Sequence, residues 1–121
     1  MRRGAAMTMR EPTGAGVLRA AAKIADLLPP TPLLPTEING TTAWIKAECL
    51  QPIGAFKIRG AWHRLSDLSA EERAAGVVGV SSGNHAQGVA WAARELGAPA
   101  VIVMPHDAPE VKLARVREMG A

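Results

Sequence analysis

The chain has 121 residues, 48% of them hydrophobic, with 14 basic residues against 11 acidic ones and a formal charge of +3. That length supports one modest core, and the basic residues are scattered rather than grouped with interleaved aromatics, which speaks against a nucleic-acid-binding surface. Cys49 is the single cysteine, so there is no disulfide framework and no cysteine metal pair, and a reducing, cytoplasmic setting is expected.

Met1 to Arg10 carries positive charge, but Arg19, Lys23 and Asp26 interrupt the apolar run that follows, so neither a signal peptide nor a membrane span is expected. From Ala15 to Leu28 the spacing predicts a helix with Leu18, Ala21, Ala25 and Leu28 on its buried face, ended by Pro29 and Pro30. Thr31 to Leu34 reads as an edge strand or an extended entry, and Asn39-Gly40 as a turn. Thr42 to Glu48 then reads as a strand with Ala43, Ile45 and Ala47 on one side and Trp44, Lys46 and Glu48 on the other. Beyond the turn signal Pro52 to Gly54, Ile58, Ala61, Trp62 and Leu65 recur at helical spacing, and Lys57 opens that helix directly after Phe56. Gly60 inside it costs roughly 1 kcal/mol relative to alanine, which a close approach of backbone or ligand, or tight helix packing, would explain. Ser69-Ala-Glu-Glu72 is a capping box for a short helix ended by Gly76.

After Gly76 the alternation changes. Val77 to Val80 is a short apolar strand, Ser81 to His85 a turn, and Ala86 to Leu96 a helix with Val89, Ala93 and Leu96 on its buried face. Gly97 ends it, Ala100 to Met104 forms a second strand, and Val111, Ala114 and the residues up to Met119 form a second helix. Strand, helix, strand, helix is the signature of an α/β fold with a parallel sheet and crossover helices. His63 and His106 read as solvated residues, and the three histidines lack metal-site spacing, so no metal is expected.

Two stretches carry chemistry. A lysine amine becomes a nucleophile when desolvation or a neighbouring cation lowers its pKa, and Arg59 with the apolar flank of the helix is a source of both for Lys57. The plainer reading is a solvated lysine in a first helical turn. The corner Ser81-Ser-Gly-Asn-His-Ala-Gln87 leads a strand into a helix, where outward N–H groups and the helix dipole favour an anion, and Gly83 permits close approach. Serine and asparagine are also ordinary helix caps.

Gln51-Pro-Ile-Gly-Ala-Phe-Lys-Ile-Arg-Gly-Ala61 resembles the lysine motif of the threonine dehydratase and serine racemase group of fold type II pyridoxal-phosphate enzymes. Ser81 to Gln87 resembles the loop of that family which binds the substrate carboxylate. The resemblance implies a three-layer α/β fold like that of the tryptophan synthase β subunit, present here in part. Residues 1–75 would belong to a large cofactor-binding domain and residues 76–121 to the first half of a small one. It implies that Lys57 holds pyridoxal phosphate as a Schiff base, that Phe56 lies against the cofactor ring, and that Asn84 bonds its phenolic oxygen. Ser81, Ser82, Gly83, Asn84 and His85 would surround the substrate carboxylate, and Ser82 would be the base opposite the lysine in a racemase. Ala55 stands where many members carry serine, and Pro30 where arginine is common, which bears on the local ion pairing.

The expected reaction is elimination of the β-hydroxyl of L-threonine or L-serine through an aminoacrylate to a 2-oxo acid and ammonia. Serine racemisation, or another β-elimination or replacement, is the alternative within the family. A non-catalytic dinucleotide-binding half-domain is the alternative outside it, although Gly79 to Gly83 lacks the Gly-x-Gly-x-x-Gly pattern. The family's glycine-rich phosphate loop lies beyond both motifs, so these residues are expected to be an N-terminal portion that binds the cofactor weakly and turns nothing over, the whole parent being a homo-oligomer.

Overall fold

The computed structural model describes residues 11–121, and the expectations about Met1 to Arg10 fall outside them. Thr13 caps α1 (Gly14–Ala25), its hydroxyl accepting from the Gly16 N–H at 3.0 Å. The buried stripe of α1 differs from the expected one: Ile24 and, past the helix, Leu28 are buried with Ala20 packed beside them, while Leu18 is 73% exposed and Ala21 and Ala25 lie outward. The reason is the partner surface. The Trp62 indole N–H donates to the Lys23 carbonyl at 3.1 Å, and in that orientation the helix's one isoleucine, rather than Ala21 or Ala25, meets the core.

Strands β1 (Leu33–Ile38) and β2 (Thr41–Lys46) form an antiparallel hairpin, Leu33 opposite Lys46 and Ile38 opposite Thr41. Asn39 and Gly40 turn it with φ of 50° and 74°, the two left-handed residues that a tight hairpin with the right twist requires. β1 is thus longer than the expected Thr31–Leu34 edge. The alternation expected in β2 is present but covers nothing, since Trp44 and Ile45, on opposite faces, are 63% and 51% exposed. Glu48 belongs to a single 3-10 turn, Glu48–Leu50, not to the strand.

Helix α2 (Lys57–Leu65) buries Ile58, Ala61 and Leu65 as its periodicity predicts. Ser69 caps α3 (Ala70–Ala75) with both arms of the capping box in place, and Gly76 follows at φ 85°. Then come β3 (Val77–Val80), α4 (Asn84–Leu96), β4 (Ala100–Val103) and α5 (Glu110–Glu118). β3 and β4 are parallel, Val77 opposite Ala100, and Gly79 lets Ile102 and Val89 close over the strand.

α4 is the centre of the molecule. Every residue from Ala86 to Ala93 is buried, not only the face that carries Val89 and Ala93. α2 packs on one side of it, β3, β4 and α5 on the others. Trp62 and Trp91 meet edge to face, with centroids 6.0 Å apart. One apolar core runs from Ile24 and Leu28 through Ile58, Ala61 and Leu65 to Val89, Trp91, Ala92 and Ala98; a smaller one joins Ala86 and Ala90 to Val116 of α5. α5 forms where the sequence predicts a second helix, and Val116 is its buried residue, Val111 being 63% exposed and Ala114 only partly covered. The class is α/β as expected, but among the described residues the four strands form two separate pairs, and helices cover only one face of the parallel pair. Val78 and Val80 on the other face are each 74% exposed.

Candidate active site

The lysine sits where the sequence puts it, in the first turn of α2, and its Nζ lies 4.8 Å from the centroid of the Phe56 ring. Both side chains are open to solvent. The loop before them is anchored rather than loose. Ile53 and Ala55 are buried, Gln51 is 6% exposed, and Gly54 adopts φ 68° to make the turn.

What anchors it is a cluster that sequence reasoning passed over. The Glu48 carboxylate accepts from Arg59 Nε at 2.8 Å and Nη2 at 2.9 Å, from Thr31 Oγ1 at 2.6 Å and from Gln51 Nε2 at 3.4 Å. Lys46 Nζ stands 3.2 Å from the same carboxylate and donates to Thr31 Oγ1 at 2.7 Å. The two-pronged Arg59 bond, above all, holds the Glu48 carboxyl down to about 2 against the opposing pull of burial, and Thr31 and Lys46 add to the effect. The same bond raises the Arg59 guanidinium above its ordinary value. Arg59 is therefore not a free cation beside Lys57, as its position in sequence suggested; its charge is committed to Glu48. The available signal was two opposite charges, Glu48 and Arg59, flanking one tight loop.

Across the helix pair lies the corner. α4 starts at Asn84, two residues earlier than its periodicity predicts, because Gly83 takes the cap position and Asn84 and His85 enter the first turn. No side chain caps this end, and the first N–H groups of any helix lack intrahelical acceptors, so those of Asn84, His85 and Ala86 point out of the end of a 13-residue helix. Ser81 Oγ accepts from the Gly83 N–H at 3.2 Å, which folds the corner, while Ser82, Asn84 and His85 are exposed. Lys112 of α5 reaches over it, its Nζ 3.7 Å from where a Cβ on Gly83 would stand.

Gly88 brings the two stretches together. A Cβ there would lie 3.3 Å from the Lys57 carbonyl oxygen and 3.3 Å from Ala61 Cβ, so the first turn of α2 rests on α4 just beyond the corner. Gln87 beside it is 2% exposed, and its Oε1 has no partner. With Gln51, Ile53, Gly54 and Arg115 it lines an open pocket of about 410 Å³ between the lysine loop, α4 and the end of α5. Sequence reasoning used Gln87 only as part of a motif. Its burial comes from α4 being enclosed on all sides, which no amphipathic pattern announces.

The first turn of α2 thus carries an exposed primary amine beside an aromatic face, and it packs on Gly88 of α4, the helix whose first turn has N–H groups without intrahelical acceptors and an exposed asparagine, with Ser82 exposed just before it. Residues 24–121 match the family described as pyridoxal-phosphate dependent enzyme, and the chain belongs to it. It is 45% identical over 115 residues to the biosynthetic L-threonine dehydratase of Pasteurella multocida, covering 90% of this chain and 22% of that one. It is 48% identical over 109 residues to an L-threo-3-hydroxyaspartate ammonia-lyase of a Pseudomonas species, covering 87% and 34%. Among solved structures it resembles maize serine racemase with a TM-score of 0.84 at 40% identity, over 88% of this chain and 34% of that one. The chain thus spans about a fifth to a third of the length of these relatives.

Proposed function

We propose that the chain carries the cofactor lysine and the substrate-carboxylate corner of a threonine or serine ammonia-lyase. The observation that supports this most directly is the seating of the Lys57 turn on Gly88, which packs the first turn of α2 four residues past the uncapped start of α4. Bound pyridoxal phosphate supplies an electron sink for negative charge at the substrate Cα. Lys57 would hold it through its amine and would serve as the base for the Cα proton, with Phe56, whose ring centroid lies 4.8 Å from the Lys57 Nζ, and Asn84 as the further residues that would hold it. The N–H groups of Asn84, His85 and Ala86 orient the substrate carboxylate, helped by the α4 dipole and by the serine hydroxyls of the corner. Departure of the β-hydroxyl and hydrolysis leave a 2-oxo acid and ammonia.

The relatives named as threonine dehydratase and hydroxyaspartate ammonia-lyase favour a β-hydroxy amino acid. The family match leaves the dinucleotide-binding alternative without support. A boundary near Gly76 between a large and a small domain, a homo-oligomeric parent and a cytoplasmic location belong to the same reading; the last rests on the single cysteine. In a chain extended to the length of the relatives, 2-oxobutanoate release from L-threonine or pyruvate release from L-serine tests the proposal. Lys57→Ala abolishes both, together with the cofactor's visible band. If Lys57→Ala retains the band and the activity, the proposal is wrong.

Racemisation of serine is the second reading, favoured by the exposed Ser82 on the corner and by the likeness to maize serine racemase. In the same extended chain Ser82→Ala stops D-serine formation and leaves elimination within a few-fold, measured by chiral chromatography.

A further inference from the structure

We propose that Glu48 is a positioning residue for Lys57, acting through Arg59 to hold the first turn of α2 and hence the direction in which the amine leaves it. This rests on the reading of Lys57 as the cofactor lysine. Glu48 gathers four separate pieces of the chain at one carboxylate: Thr31 before β1, Lys46 at the end of β2, Gln51 at the start of the lysine loop, and Arg59 two residues past Lys57. The Glu48–Arg59 pair therefore closes the whole loop that carries Phe56 and Lys57. The pair is bidentate, a geometry that fixes the plane of the guanidinium as well as its distance. The Arg59 N–H also bonds the Phe56 carbonyl at 3.1 Å, so the residue held by Glu48 is tied directly to the one whose ring the lysine overlies.

A merely structural ion pair would lower stability when broken but leave the amine as reactive as before. The four lysines of the chain, Lys23, Lys46, Lys57 and Lys112, separate the two cases. The 121-residue chain is incubated with pyridoxal phosphate, reduced with borohydride, digested, and the pyridoxyl label on Lys57 is compared by mass spectrometry with that on Lys23, which lies on α1 in an ion pair with Asp67. The expected result is preferential labelling of Lys57 in the unaltered chain and a ten-fold or greater fall in the Lys57-to-Lys23 ratio in Glu48→Gln, with the helical circular-dichroism signal retained.

If Glu48→Gln does not fold, Arg59→Lys, which keeps the charge but loses the two-pronged bond, is read instead and should lower the ratio at least three-fold. A folded variant with an unchanged ratio overturns the positioning role and leaves Lys57 as the cofactor lysine. An unaltered chain that labels Lys57 no more than Lys23 overturns the cofactor-lysine reading itself, and the positioning role with it.

Discussion

The Glu48 carboxylate shows how one side chain can decide the geometry of a loop it does not belong to. With its folded pKa near 2, below the ordinary carboxylate value of 4.5, the group contributes stability that is fully present above about pH 4.5 and is lost as pH falls toward 2. Thermal melts between pH 6 and pH 2 should show that loss, and Glu48→Gln should flatten the profile across the window. At neutral pH the same variant should cost about 2 kcal/mol in urea unfolding, since it weakens a charge-assisted network and leaves Arg59, 25% exposed, without a full partner. The sequence showed Glu48 as an ordinary member of a strand and Arg59 as a cation beside Lys57. Only the distances between them reveal that they are one unit.

At the scale of elements, the seam between α2 and α4 carries the candidate site, and two glycines, Gly88 within it and the exposed Gly60 of α2, behave in opposite ways. A Cβ on Gly88 would press on the Lys57 carbonyl and on Ala61 Cβ, so Gly88→Ala should force the helices apart and cost roughly 1–3 kcal/mol. A Cβ on Gly60 would meet nothing within 4 Å, so tight packing is not what this glycine serves among the described residues, and Gly60→Ala should stabilise α2 by about 1 kcal/mol. Chemical denaturation of the two variants side by side checks both signs. Ile58, fully buried in the same seam, should cost about 2–5 kcal/mol as Ile58→Ala. The helix periods were legible in the sequence because Ile58, Ala61 and Leu65 repeat at helical spacing on one face. The rotation of α1 was not, because small alanines look alike on either face and the contacts that orient the helix, the Trp62 indole bond and the Lys23–Asp67 pair among them, come from residues far along the chain.

Over the whole molecule, the exposed face of the parallel pair stands out. Parallel sheets are normally covered on both faces, yet Val78, Val80, Val101 and Val103 are open to water on one side of β3 and β4. The 121-residue chain should therefore self-associate at micromolar concentration, and Val80→Lys with Val101→Lys should shift it toward monomer in sedimentation velocity. The sequence by itself determined the order of elements, the α/β class and the two chemical stretches, because periodicity, caps and turn residues act over a few neighbours and the lysine and serine–asparagine motifs are contiguous. The tertiary structure alone decided which helix is enclosed, which charges pair and how close the two stretches lie. Those outcomes depend on contacts between residues far apart in the chain, and for such contacts local pattern carries no energy term.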